Sequence, residues 1–165
     1  MNNALNSRIQ VALRNWIKLD RFICPQAVTL TLRQAVNAPN GENHGKVWLT
    51  EDLAIQNLRH FLNKLNRFTY GNAAIRFQKG VGCLPILEGG NGKRLHYHLL
   101  LDCPRISLVE NYPLLINELW RETQWGYVQT DCRSDADSGW LNYITKHRDK
   151  PDFAKSIDWM NYRNP

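Results

Sequence analysis

The chain has 165 residues, 43% of them hydrophobic, with 21 Lys and Arg against 15 Asp and Glu, which gives a net charge of +6 and a pI of about 9.3. That size predicts one domain over 1–165 with a real hydrophobic core, and no stretch approaches the eighteen or so uninterrupted apolar residues of a membrane span. The start, Met1-Asn2-Asn3, lacks a basic region followed by an apolar core, so a cytoplasmic location without membrane attachment is expected. Cys24, Cys83, Cys103 and Cys132 form no Cys-x-x-Cys pair. Neither a zinc knuckle nor a disulfide framework is suggested, and all four read as small buried hydrophobes. The basic surplus favours a polyanionic partner, and six Trp, six Tyr and five Phe add stacking surfaces, although most aromatics in such a domain are core.

Leu5, Ile9, Ala12, Leu13, Trp16 and Ile17 recur at three and four, which predicts an amphipathic helix from Ala4 to about Lys18. Ala27 to Leu32 alternates as a strand, with Val28, Leu30 and Leu32 on one side and Thr29 and Thr31 on the other. Residues 37 to 46 read as a polar loop ending at Lys46. Thr50 before Glu51 and Asp52 caps a second helix, whose apolar stripe (Leu53, Ile55, Leu58, Phe61, Leu62, Leu65) runs up to Tyr70-Gly71. Short strands are expected at Ile75–Gln78 and Val81–Glu88, followed by a tight turn, Gly89-Gly90-Asn91-Gly92-Lys93, into a strand at 94–101. A third helix starts either at the capping-box spacing Ser107–Glu110 or at Asn111 with Pro113 in its first turn, and runs to about Thr123. Tyr127–Thr130 reads as a short strand. Ser134–Asp137 opens a fourth helix carrying Trp140, Leu141, Tyr143, Ile144 and Lys146 and stopping before Pro151. The sum is an α+β domain: an antiparallel sheet of about five strands with helices packed on it.

In Arg94-Leu-His-Tyr-His-Leu-Leu-Leu101 a strand's period of two puts His96 and His98 on one face and Leu95, Tyr97 and Leu99 on the other. Two imidazoles then stand where hydrocarbon is otherwise expected, which is unfavourable unless something such as a metal ion satisfies their nitrogens. Two neutral imidazoles hold a divalent ion weakly, so a carboxylate is sought as third ligand, and Glu88 is the candidate. If Glu88 pairs with Arg94, residues 88, 94, 96 and 98 share a face, whereas a slip of one residue would send Glu88 to the other side. This nitrogen and oxygen set suits Mn²⁺ or Mg²⁺ with open positions. His44 and His60 have no partner at ligand spacing and read as surface residues.

Tyr143-Ile-Thr-Lys146 puts a phenol and an ammonium on neighbouring points of a helix face. A tyrosine needs a nearby cation or metal to act as a nucleophile at neutral pH, and Lys146 could supply that charge or instead hold a phosphate.

Together Ala27–Leu32, Glu88 with Arg94–Leu101, and Tyr143–Lys146 resemble, in that order, the motifs of the HUH endonucleases, specifically the single-tyrosine rolling-circle replication initiators of plasmids and single-stranded DNA viruses or phages. Trp120 and Trp125–Gln129 also fit, so the resemblance covers about 26–150, leaving the N-terminal helix, to about residue 20, outside it. The resemblance implies an RRM- or ferredoxin-like core in which Glu88, His96 and His98 hold the metal and Tyr143, assisted by Lys146, attacks a phosphodiester of single-stranded origin DNA, whether linear or in a hairpin. A 5′-phosphotyrosine and a free 3′-hydroxyl would follow. Arg33, Lys46, Arg76, Lys79, Lys93 and Arg94 are candidates for backbone contact. His147 sits four residues after Tyr143, where small HUH transposases can carry their third ligand, and is the alternative to Glu88. Conjugative relaxases fit less well, since their tyrosine precedes the histidines and the first tyrosine here is Tyr70, at a helix end. Gly89–Lys93 lacks the spacing of a phosphate loop, so no ATPase is expected in this chain, and either a host helicase acts in trans, alongside a host polymerase, or the chain is the nuclease domain of something longer. The rival reading is a non-catalytic single-stranded nucleic-acid-binding module.

Overall fold

In the computed structural model, which describes residues 2–38, 45–90, 92–146 and 153–165, the alternating segment after Cys24 forms strand β1, Pro25–Leu32, with every second residue buried. It lies between β5, Lys93–Asp102, and β6, Gly126–Ser134, while β4, Cys83–Gly90, pairs with the outer side of β5. All pairings are antiparallel, and the sheet order is β4-β5-β1-β6. Val28, Leu30, Leu32, Tyr97 and Leu99 point to one face, beneath α2, Glu51–Tyr70, and α4, Tyr112–Arg121. Thr50 caps α2 by accepting from the Leu53 N–H, as its sequence predicts. Trp120 of α4 is the largest fully buried side chain. It meets Phe61 edge-on at 5.5 Å and donates from Nε1 to the Thr31 carbonyl at 2.8 Å.

The other face carries Leu84, Ile86 and Leu100, covered by Leu13 of α1, Asn2–Trp16, Ile17, Leu141 and Ile144 of α5, Ser138–Ile144, and Phe153 of α6, Phe153–Ser156. Along β5 this face reads Leu100, His98, His96, so hydrocarbon gives way to imidazole towards the β4–β5 turn. After α6 the chain bridges the free edge of β4 at Ile86↔Ile157 and Cys83↔Arg163, and the Tyr97 hydroxyl donates to Asp158 at 3.0 Å. An otherwise open sheet edge is thereby covered.

The α+β expectation holds, but the sheet has four strands rather than five, and a separate two-stranded ribbon pairs β2, Ala35–Asn37, with β3, Lys46–Trp48. The expected strand at 75–78 is instead the end of α3, Asn72–Arg76: Gly71, at φ 57°, ends α2 and the chain turns helical again, leaving Ile75 and Phe77 exposed. Strands β2 and β3 are three residues each, too short to alternate visibly. Residues 39–44, including His44, lie outside the described residues. Of the two starts for the third helix the structure has the later, with Pro113 in the first turn, while Ile106–Leu108 form a 3₁₀ turn. Strand β6 outruns 127–130 through Ser134, so the fourth helix begins not there but at Ser138, where Asp137 accepts from the Trp140 N–H at 3.0 Å. Cys83 and Cys103 are buried as expected, whereas Cys24 and Cys132 are half-buried. Burial raises the pKa of the Cys83 and Cys103 thiols and pushes that of Cys132 up to about 12, which keeps these three protonated. Among the described residues no helix is long and apolar enough to cross a membrane.

Gly89 is irreplaceable at the turn. It sits at φ +115°, and a Cβ there would run into the Arg94 carbonyl oxygen. Gly89→Ala is therefore expected to lower stability by about 1–3 kcal/mol, read as a lower urea midpoint at unchanged m-value.

Candidate metal centre and the adjoining tyrosine

Glu88 lies directly opposite His96, and Ile86 opposite His98. The expected pairing of Glu88 with Arg94 is therefore off by two residues: Gly90 pairs with Lys93, and the register shifts between Glu88 and Gly90. Because the displacement is even, Glu88 keeps the face of the two histidines. Its Oε2 is 4.0 Å from His96 Nε2 and 3.8 Å from His98 Nε2, and the two rings stand edge to face at 4.9 Å. Among the described residues Glu88, His96 and His98 form a group of potential ligands whose donor atoms all lie within 4.8 Å of one another. Two ligands each about 2.1 Å from a common ion are about 3.0 to 4.2 Å apart, so small side-chain rotations complete the site.

The imidazoles are oriented through their other nitrogens. His96 Nδ1 donates to the Arg94 carbonyl at 3.0 Å, which leaves Nε2 as the lone-pair donor facing Glu88. His98 Nδ1 meets Thr29 Oγ1 at 3.0 Å, and Thr29 is its direct cross-strand neighbour on β1. Such partners hold the rings in place for an ion, and the Arg94 carbonyl also makes His96 Nδ1 the protonated nitrogen. Thr29→Val, which keeps the shape and removes the hydroxyl, is expected to weaken Mn²⁺ binding by about 10-fold in calorimetric titration while the fold persists.

Tyr143 of α5 borders this centre. Its ring is edge-on to His98 at 5.4 Å, stacks on Trp140 at 5.4 Å with 19° between planes, and is 44% exposed. Trp140 in turn is edge-on to His98 at 5.6 Å and donates from Nε1 to the Leu99 carbonyl at 3.0 Å, which ties the helix to the histidine strand. From α1, Arg14 Nε donates to Thr145 Oγ1 at 2.9 Å and fixes the helix end. Lys146 is not on the helix, which ends at Ile144. A turn carries its Nζ over the Tyr143 ring, 3.8 Å from the centroid, a cation–π contact. A groove of about 380 Å³ between Ala27, Arg133 and Trp140 opens onto Tyr143.

Of the basic residues, Lys93 and Arg94 are exposed at the β4–β5 turn, the Arg94 guanidinium 5.0 Å from the Tyr127 ring. Arg33 and Lys46 are exposed after β1 and on the ribbon. Arg76 and Lys79 are not brought to the metal centre; they belong to the corner of α2 and α3, in the layer covering the opposite face. His60 is exposed on α2, and His147 lies outside the described residues. Two contributors escaped the sequence reading. Thr29 was legible only as a polar position on β1, since nothing local says which strand it adjoins; Trp140 was visible as a helix residue three before Tyr143, without sign that its ring would bridge to His98.

The chain matches no protein-family model, no curated protein and no solved structure.

Proposed function

We propose that this chain is a metal-dependent endonuclease of the HUH type that nicks and rejoins single-stranded DNA. The observation that carries the reading is the convergence, from three separate elements, of a histidine pair, a carboxylate and a half-exposed tyrosine whose ring touches His98. The sheet order supports it: β1-α2-β4-β5-α4-β6 with spatial order β4-β5-β1-β6 is that of a ferredoxin-like core. Glu88, His96 and His98 would hold Mn²⁺ or Mg²⁺, which supplies Lewis-acid polarisation of a phosphoryl oxygen. The Tyr143 oxygen gives up its proton and forms a bond to phosphorus, the bond from phosphorus to the 3′ oxygen breaks, and that oxygen takes up a proton in turn and leaves as a hydroxyl, so no net proton is gained or lost. The product is a 5′-phosphotyrosine. Lys146, whose ammonium lies over the Tyr143 ring, offers a cation to the phosphate. The free 3′-hydroxyl suits extension by a polymerase, so the biological role proposed is initiation of rolling-circle replication at an origin, with host helicase and polymerase as partners.

Incubation with end-labelled single-stranded DNA and Mn²⁺ tests this. A protein–DNA adduct resistant to denaturant, absent when EDTA is added, is the expected result. Retention of the DNA with no adduct would identify a binding module instead, and hydrolysis without adduct a simple phosphoesterase.

A further inference from the structure

Two adjoining hollows of about 420 and 220 Å³ lie on the α2 layer, across the sheet from the metal centre, and share Asn63, Asn66 and Arg163. Their walls carry Arg59, Arg67, Lys79 and Arg163, all exposed, and no acidic residue among those described. None of these four cations forms an ion pair with a described carboxylate. The lining is arranged to donate. Asn66 Oδ1 already accepts from the Val81 N–H at 2.8 Å, which leaves its amide NH₂ for the hollow. Arg163 donates to the Gln78 carbonyl, and Gly80 leaves the space that it and Asn66 fill: a Cβ there would be 2.8 Å from Arg163 Nη1 and 2.9 Å from Asn66 Nδ2. Beside the cations, Ile75 and Phe77 are 63% and 72% exposed, with Phe77 next in sequence to Arg76 and Gln78.

We infer that this cationic groove binds the phosphodiester backbone of single-stranded nucleic acid, as a second contact surface remote from Tyr143. Guanidinium, ammonium and amide donors with no competing carboxylate match a run of phosphates, and the exposed Phe77 ring, next to Gln78 of the lining, matches an unstacked base, which a duplex does not present. The groove gives Lys79, which is not brought to the metal centre, a role. It goes beyond that reading and does not need it, since neither metal nor tyrosine takes part.

The test is fluorescence anisotropy in EDTA with a labelled oligothymidylate of about 30 nucleotides, long enough for an extended contact. Arg67→Glu/Lys79→Glu alters two exposed side chains. It is expected to weaken binding by about 10-fold or more and to flatten the slope of log K against log salt by about 1.4, the value for two lost single-strand phosphate contacts. Arg8→Glu/Lys18→Glu on and just after α1 makes the same change in charge and should lose less than half as much in log K. An unchanged slope, an equal loss in this control, or a duplex of the same length binding more tightly and suffering the larger loss would each overturn the inference. With no metal present, the outcome is independent of nicking. Groove dependence without any adduct in Mn²⁺ would remove the proposed chemistry and leave the groove, and an adduct without groove dependence the reverse.

Discussion

Tyr143→Phe is expected to form no covalent adduct with single-stranded DNA, a loss of more than about 10³-fold in the nicking rate, as befits removal of a nucleophile. The substitution deletes one oxygen and keeps the ring. Its stack on Trp140, its edge contact with His98 and the ammonium of Lys146 over its face all survive, so fold, Mn²⁺ affinity and DNA affinity should stay within about twofold of wild type. That separation makes the result decisive: an adduct persisting in Tyr143→Phe, located on another side chain by mass spectrometry, would contradict the assignment. Lys146→Met, which removes the charge and keeps a flexible apolar chain, should lower the rate less, by about 10²-fold, because the ammonium assists at the phosphate without supplying the bond.

The largest expected loss of stability is at Trp120. Its side chain is fully buried against Phe61 on the opposite face of the sheet from the metal, and its indole N–H satisfies the Thr31 carbonyl of β1. Trp120→Ala opens a cavity the size of an indole and removes that donor, at a cost of about 3–5 kcal/mol. Since single domains hold only about 5–15 kcal/mol in all, urea denaturation should show a much lower midpoint. Trp120→Phe refills most of the space and loses the hydrogen bond, so it should cost about 1–2 kcal/mol. Equal losses in the two variants would mean that the N–H, and not the packing, dominates.

How much of this was legible in the sequence follows from which forces act locally. The stripe of α2 and its Thr50 cap are local, and the helix ends one residue before Gly71 as read. The two-residue period of β5 fixed the face of His96 and His98, and Glu88 joined them despite a wrong pairing partner because faces depend only on parity. Where local signals were weak, neighbours decided. Ile75–Gln78 has strand-like residues but pairs with none of the described strands, and the chain after Gly71 makes helix instead. Residues 35–37 and 46–48 are strands only because they face each other. Lys146 reaches Tyr143 by a turn beyond the helix rather than along its face, a contact that the spacing of three suggested for another reason. Thr29 and Trp140 act on His98 through cross-strand and helix-to-sheet contacts, which no window of sequence contains.

The most direct measurement is diffraction at the manganese absorption edge from crystals soaked in MnCl₂. The account predicts an anomalous peak about 2.0–2.3 Å from a Glu88 carboxylate oxygen and from Nε2 of both His96 and His98, with the Tyr143 ring alongside. A peak held by other residues, or none between these three at millimolar Mn²⁺ with their side chains well ordered, would contradict it.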